Sequence, residues 1–169
     1  MEHNYMFEHA RILLKPLEEN DIEQLRTLRN SRKQFFITQN EIDSAAQKKW
    51  YEGYLKNPTD IMFKVVKKDK PEEFIGTMAL YDIDWARGTA ECGRTLVDKA
   101  KAPERGIGTE VTKAICLFGF QVLKLNKIVA EVLKTNVRII KAVRNVGFRI
   151  VGEDDTLYFI ELTNETIKP

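Results

Sequence analysis

The stretch from Leu96 to Ala114, LVDKAKAPERGIGTEVTKA, constrains the fold more than any other part of the chain. It leaves an alternating segment, crosses a loop with two glycines, and enters an apolar stripe of helical period at Val111, Ala114, Ile115, Phe118 and Val122. A stripe that wide needs a sheet to cover. Gly106 and Gly108 stand just before the helical pattern, where glycine permits turns that side chains resist and lets another molecule approach the backbone. The first N–H groups of a helix lack intrahelical partners and the peptide dipoles leave that end positive, so Gly106-Ile107-Gly108-Thr109 reads as a phosphate cradle. Taken alone, the loop also reads as a plain glycine turn and helix cap. Arg105 adds charge, and the Thr109 hydroxyl either bonds the anion or caps the helix. No Gly-Lys-Ser/Thr follows, as a Walker loop requires, and Val111 fills the third glycine position of a dinucleotide fingerprint.

The preceding segments supply the sheet. Arg11 to Lys15 reads as a short strand ended by Pro16. Asp21 then caps a helix in which Ile22, Leu25 and Leu28 recur at the spacing of one buried face, up to about Ser31. Beyond the apolar Phe35-Phe36-Ile37, Asp43-Ser44 caps a second helix through Trp50, Tyr51 and Leu55, ended by Asn57-Pro58. From Ile61 the period becomes two. Met62 to Val66 and Phe74 to Ile83 pair around an exposed lysine-rich turn, and after Trp85-Ala86-Arg87-Gly88 the chain returns as Thr89 to Val97. Simple alternation there sets Glu91, Gly93, Thr95 and Val97 on one face and Ala90, Cys92, Arg94 and Leu96 on the other. After the glycine-led helix come a strand at Lys127 to Val132, a helix from Asn136 to Gly147, and strands near Arg149 to Val151 and Leu157 to Leu162. This order predicts an α/β (α+β) fold, a mixed and mostly antiparallel sheet of about seven strands with helices on both faces.

Composition narrows the partners. The chain has 169 residues, 43% hydrophobic and 31% charged, which suits one folded domain over residues 1–169 without a metal or disulfide framework. Its 27 basic and 25 acidic residues leave a net charge of +2 with no basic stripe, so no nucleic acid is expected. Cys92 and Cys116 lack CxxC spacing and the imidazoles are those of His3 and His9, so the thiols read as core residues and no metal is expected. No segment approaches the roughly 20 apolar residues of a membrane span, and the start of the chain lacks a signal-peptide run. The expectation is a cytoplasmic protein without a membrane partner.

From Leu125 to Glu153 runs LNKIVAEVLKTNVRIIKAVRNVGFRIVGE, a strand ending near an asparagine, a helix closed by Gly-Phe and a short strand. With the glycine loop, the glutamate-bearing strand and Phe74-Ile75-Gly76 ahead of it, the chain resembles the GNAT superfamily of acetyl-CoA-dependent N-acetyltransferases over essentially its whole length. The superfamily loop is usually Q/R-x-x-G-x-G/A; Gly106 and Gly108 match it, whereas Pro103 stands where Gln or Arg is usual. The resemblance implies an acetyl-CoA cosubstrate whose pyrophosphate is held by the backbone from Gly106 through Ile107 and Gly108 to Thr109, beside Arg105. It implies that the backbone of Leu96 and Val97 pairs with the pantetheine arm, that Asn136 lies near that arm, and that a backbone N–H near Leu96 meets the developing oxyanion. Lys141 and Arg144 either reach the nucleotide phosphates or form a solvated helix face.

Many members carry a tyrosine, four residues before the Gly of Gly-Phe, that protonates the departing thiolate; here that position is Val143. A thiol pKa near 8.5 makes the thiolate a tolerable leaving group, and Tyr81, Tyr158 and Cys92 are possible substitutes. An attacking amine must be neutral, and Glu91 resembles the acid that some relatives use to take its proton, or else is a structural carboxylate paired with Arg94 or Arg87.

Acceptor choice falls to the first sixty residues and the Tyr81 to Thr89 loop. Arg29, Asn30 and Arg32, with Trp50 on the second helix, resemble the acceptor region of GNAT enzymes acting on nucleotide-linked amino sugars, and Tyr81-Asp82-Ile83-Asp84 is similar to that group's strand ending in Ile-Asp. Arginines suit a phosphorylated sugar, and Trp50 or Trp85 either stacks on a base or sugar or anchors the core. Gln47 replaces a histidine often found three residues before the tryptophan. The implied activity is acetyl transfer to a primary amine, foremost that of a nucleotide-linked amino sugar. Alternatives are a protein N-terminus of the ribosomal-protein type, whose enzymes share Thr109-Glu110-Val111 and the missing tyrosine, a polyamine, and a CoA-binding regulatory module without turnover. A second copy of the chain, as a homodimer, is a possible partner completing the acceptor cleft.

Overall fold

The computed structural model describes residues 2–168. Its strands are β1 (Phe7–His9), β2 (Ile12–Pro16), β3 (Ile61–Lys67), β4 (Gly76–Asp84), β5 (Thr89–Val97), β6 (Lys127–Leu133), β7 (Arg149–Glu153) and β8 (Leu157–Thr163). The helices are α1 (Ile22–Asn30), α2 (Ser44–Lys56), α3 (Ile107–Gln121) and α4 (Val137–Val146). The strands form one sheet in the order β1-β2-β3-β4-β5-β6-β8-β7, antiparallel except where β5 lies parallel to β6. That parallel pair is joined through α3, the crossover that two parallel neighbours require.

The sheet thus has eight strands among the described residues, one more than the sequence predicts. The addition is β1, which pairs with β2 through Phe7↔Leu14 and turns at Ala10 with φ 48°. Three residues are too few to show a period, and the tight turn lacks the usual glycine. Aromatic packing holds this edge: Phe118 of α3 meets Tyr5 at 5.3 Å, Phe7 at 5.9 Å and Phe63 at 4.9 Å in edge-to-face pairs. Each such pair adds about 0.5–1.5 kcal/mol beyond the area it buries.

Helices cover both faces. Ile107, Val111, Ile115 and Phe118 of α3 are fully buried over the strands together with Val143 and Val146 of α4. On the opposite face Leu25 and Leu28 of α1 and Tyr51 and Tyr54 of α2 pack over Met62, Ala79 and Leu96. Asp43 caps α2 by accepting from the Ala46 N–H at 2.7 Å, as its spacing predicts. Asp21 does not cap α1 with its side chain. Its carboxylate accepts from the Glu18 N–H at 2.9 Å and pairs with Lys64 at 3.1 Å, because a short 3-10 turn at Glu19–Asp21 precedes α1.

The alternation expected along β5 breaks at Arg94. Thr77 pairs with Leu96 and Ala79 with Gly93, so β5 carries one extra residue, and Arg94 takes it up with φ 54°. Beyond this bulge the faces exchange. Leu96 joins the α1 and α2 cluster beside Tyr81, whereas Val97 packs with Cys92 beneath α3. Arg94 is therefore on the Glu91 face, opposite to expectation. Cys92 and Cys116 are both buried and free.

Candidate active site

The ladder between β5 and β6 is short. Thr89, Ala90 and Glu91 pair with Lys127, Ile128 and Val129, and there the pairing stops. β5 continues to Val97 against β4, and β6 continues to Leu133 against β8. The two strands diverge from Glu91 onward and leave a fork in the sheet. Along it, the β6-facing edge of β5 between Cys92 and Val97 offers backbone donors and acceptors to an extended ligand. Leu96 and Val97 lie at the open end of that edge, so their expected backbone role is geometrically available.

Glu91 stands at the apex of the fork, half-buried. The Tyr81 hydroxyl, opposite it on β4, donates to Glu91 Oε1 at 2.5 Å. Gly93 makes room for that hydroxyl, since a Cβ there would lie 2.7 Å from it. Burial pushes the Glu91 carboxyl above the usual carboxylate range; the Tyr81 hydrogen bond and Arg94 oppose the shift, while Glu131 and Asp82 add to it. Burial, then Glu91, drive the Tyr81 phenol upward as well. The pair thus consists of a protonated phenol and a carboxylate with a raised affinity for protons, which is the chemistry of a general base.

Behind the pair stands a residue that the sequence places on the wrong face. Arg94 Nη1 donates to both carboxylate oxygens of Asp60 at 2.8 and 2.7 Å, and its guanidinium lies 4.4 Å from the centre of the Tyr81 ring. Trp50 of α2 lies 5.9 Å from the same guanidinium and stacks on Tyr54 at 5.6 Å. Trp50, Tyr81 and Glu91 are thereby gathered into one wall, with Arg94 and Asp60 as its support. Neither supporting residue is legible from spacing, because a bulge sets the face of Arg94 and Asp60 precedes β3 as an isolated acid.

At the other end, Gly106 caps α3 in the left-handed conformation, φ 89°, and Ile107, Gly108 and Thr109 form the first turn. Thr109 is therefore not the cap. A Cβ on Gly108 would meet nothing within 4 Å, so packing within the protein does not require glycine there. Arg11, in the turn just before β2, clamps this turn: Nη2 donates to the Arg105 carbonyl at 3.0 Å, and the guanidinium bonds the Glu110 carboxylate at 2.5 to 3.2 Å. The Arg105 side chain is exposed beside the turn.

Other expected residues have local work. Asn136 caps α4 by accepting from the Ile139 N–H at 3.3 Å. Lys141 and Arg144 are exposed on α4. Val143, in the position where many relatives have tyrosine, is buried against β6 and β8 beside an apolar cavity of about 10 Å³ that Tyr158 also lines. Arg29 donates to the carbonyls of Thr38 and Asn40 and stacks on Phe36, and the Asn30 amide bonds both the N–H and the carbonyl of Ile42. These two side chains tie down the loop between α1 and α2. Arg32 sits half-buried in that loop. Asp84 caps its own turn through the N–H groups of Ala86 and Arg87, and the exposed Trp85 donates to the Pro58 carbonyl at 3.3 Å. Among the described residues no helix is long and apolar enough to cross a membrane.

The arrangement is shared with solved structures. An apo structure of FdhC, described as a nucleotide-linked sugar GNAT, superposes with a TM-score of 0.83 at 24% identity, covering 97% of this chain and 93% of that one. Spermidine N-acetyltransferase from Vibrio cholerae, in complex with CoA and spermine, does so with a TM-score of 0.81 at 18% identity, covering 94% and 98%. A GCN5-related N-acetyltransferase from Brucella melitensis gives 0.77 at 19% identity, covering 98% and 81%. At these identities the likeness is one of fold. No curated protein matches the sequence. The family described as acetyltransferase (GNAT) domain matches residues 11–149. That span runs from β2 to the first residue of β7 and takes in every element of the fork, so the chain belongs to the GNAT acetyltransferase family.

Proposed function

We propose that this protein transfers an acetyl group from acetyl-CoA to a primary amine, foremost that of a nucleotide-linked amino sugar. The observation that carries the reading is Glu91, half-buried at the fork with the Tyr81 hydroxyl bonded to it. The site fits the cosubstrate at two points: the free N–H groups and open space at Gly108 suit a pyrophosphate, and the unpaired edge of β5 suits an amide-bearing arm. Acetyl-CoA supplies an acetyl group activated as a thioester. Glu91 takes a proton from the incoming ammonium, directly or through a water, and Tyr81 holds the carboxylate toward the fork. Backbone N–H groups on the free edge of β5 lie where negative charge develops, which needs no particular side chain.

The acceptor reading rests on the wall around Glu91. Trp50 and Tyr81 offer aromatic surface to a sugar ring or base, while the cation of Arg94 behind them is matched by Asp60. The likeness to a nucleotide-linked sugar GNAT supports the same reading. The test is thiol release from acetyl-CoA across amino-sugar nucleotides, N-terminal peptides and polyamines. The expected result is the highest kcat/KM with an amino-sugar nucleotide. Preference for a peptide or a polyamine would replace the acceptor and keep the reaction, whereas CoA binding without release from any amine would leave a binding module.

A further inference from the structure

We propose that Arg94 is a positioning residue: anchored by Asp60, it holds Tyr81 and so keeps Glu91 aligned for proton removal at the fork. This rests on the acetyltransferase reading of Glu91; the sequence offers Arg94 as an ion-pair partner of Glu91, whereas its guanidinium pairs with Asp60.

Three observations converge. First, Arg94 occupies the left-handed region at φ 54°, which a side chain of its size rarely adopts. The bulge it creates moves the guanidinium from the α3 face of the sheet to the Glu91 face. Second, Asp60 is 4% exposed and receives Arg94 Nη1 on both carboxylate oxygens, so the guanidinium has a fixed origin. Third, the guanidinium carbon lies over the Tyr81 ring, 4.4 Å from its centre, where it restrains the ring, while Gly93 leaves the space that its hydroxyl needs to reach Glu91. Asp60, Arg94, Tyr81 and Glu91 form a continuous chain of contacts from the interior to the apex of the fork.

The charge of Arg94 also matters. The groups that act on Glu91 are Tyr81 and Asp82 of β4, Arg94 of its own strand and Glu131 of β6, and Arg94 is the cation among them. Without it, Glu91 faces two acids and a neutral phenol, and its carboxyl holds a proton to higher pH.

The test compares Asp60→Asn/Arg94→Met with Arg94→Lys. The double variant removes the cation without leaving the buried Asp60 charge behind. The titration of Glu91 is followed by carboxyl 13C NMR in the ligand-free protein, its resonance assigned by its loss in Glu91→Gln, together with kcat and KM for acetyl-CoA. The double variant should titrate Glu91 at higher pH, lose about tenfold or more in kcat, which corresponds to roughly 1.4 kcal/mol, and keep KM for acetyl-CoA within about twofold. Arg94→Lys should return the titration toward wild type and leave kcat between the two, since an ammonium supplies charge but not a planar contact. A folded double variant with the wild-type Glu91 titration and kcat overturns the proposal. If Glu91→Gln itself keeps wild-type turnover, the base reading fails instead, and the NMR midpoint still reports whether Arg94 governs the pair.

Discussion

Gly93→Ala is the most demanding substitution for the geometry at the fork, because it adds a single methyl beside the Tyr81–Glu91 pair. The added Cβ would stand 2.7 Å from Tyr81 Oη, 3.1 Å from Cε1 and 3.3 Å from Cζ, whereas ordinary contact begins near 3.4 Å. The hydroxyl must therefore withdraw by about 0.7 Å, a distance that stretches its 2.5 Å bond to Glu91 toward the outer limit of a hydrogen bond. A hydrogen bond to a charged group contributes about 1.5–3 kcal/mol, and the displacement puts most of that at risk, so kcat/KM should fall roughly ten- to a hundredfold. The same crowding should cost about 1–3 kcal/mol of stability, offset in part by the smaller backbone entropy of alanine, and lower Tm by roughly 2–6 °C. Thiol release and a thermal melt read both quantities. Tyr81→Phe removes the nearest clashing atom, so adding Gly93→Ala to it should lower activity by less than the same change does in wild type. Wild-type turnover and an unchanged melt in Gly93→Ala would refute the claim that Tyr81 sits on Glu91 in the working enzyme.

Further outcomes follow from the same site. Glu91→Gln should lower kcat by about 10²–10⁴-fold. The folded Glu91 carboxyl has its pKa raised above the unfolded value, so its ionisation weighs against folding at neutral pH and that burden disappears as pH falls; Glu91→Gln should accordingly melt no lower than wild type at neutral pH, and a clear loss there would contradict the burial argument. Gly108→Ala should leave the melt of the ligand-free protein unchanged or slightly raised while KM for acetyl-CoA increases about tenfold or more, because the space it fills is open in the protein and needed by the phosphates; equal KM values would remove Gly108 from the cradle. Burial pushes the Glu110 carboxyl up, but its bonds from Arg11 outweigh that and hold it below the usual range. Its contribution is present above the unfolded pKa and lost as pH falls through the lower folded one, so urea midpoints of Glu110→Gln should decline less than those of wild type on acidification. The exposure of Arg11 keeps the difference small.

The sequence is most legible where one residue type answers one local demand. Gly106 before α3, Asp43 at the start of α2 and Gly147 at the end of α4 occupy the positions their chemistry predicts. Glu91 and Tyr81 are visible as candidates through the family resemblance, Glu91 as the acid on its strand and Tyr81 in the Tyr81-Asp82-Ile83-Asp84 run. What the sequence hides depends on registry between strands. Arg94 belongs to the opposite face by counting and reaches the site through a bulge, of which the isolated glycine beside it, Gly93, is the signal in the sequence. The end of pairing after Glu91 and Val129 is silent, since β6 keeps its alternating pattern along its whole pairing with β8. Arg29 and Asn30 show the converse: their types suit an anionic acceptor, but the carbonyls of the loop that follows engage their polar ends.

The three-residue ladder at Thr89–Glu91 has a mechanical consequence. It divides the sheet into two plates, β1 to β5 and β6 to β8, whose strands pair with each other, among the described residues, only along that seam. The brace across the seam is α3, whose buried side chains rest on strands of both plates and whose Phe118 anchors the outermost edge. The opening angle of the fork is consequently set by core packing well away from the reacting atoms. Shortening a side chain such as Ile115 or Phe118 should alter how wide the slot stands, and therefore how tightly the acyl carrier is gripped, without touching a single residue that lines it.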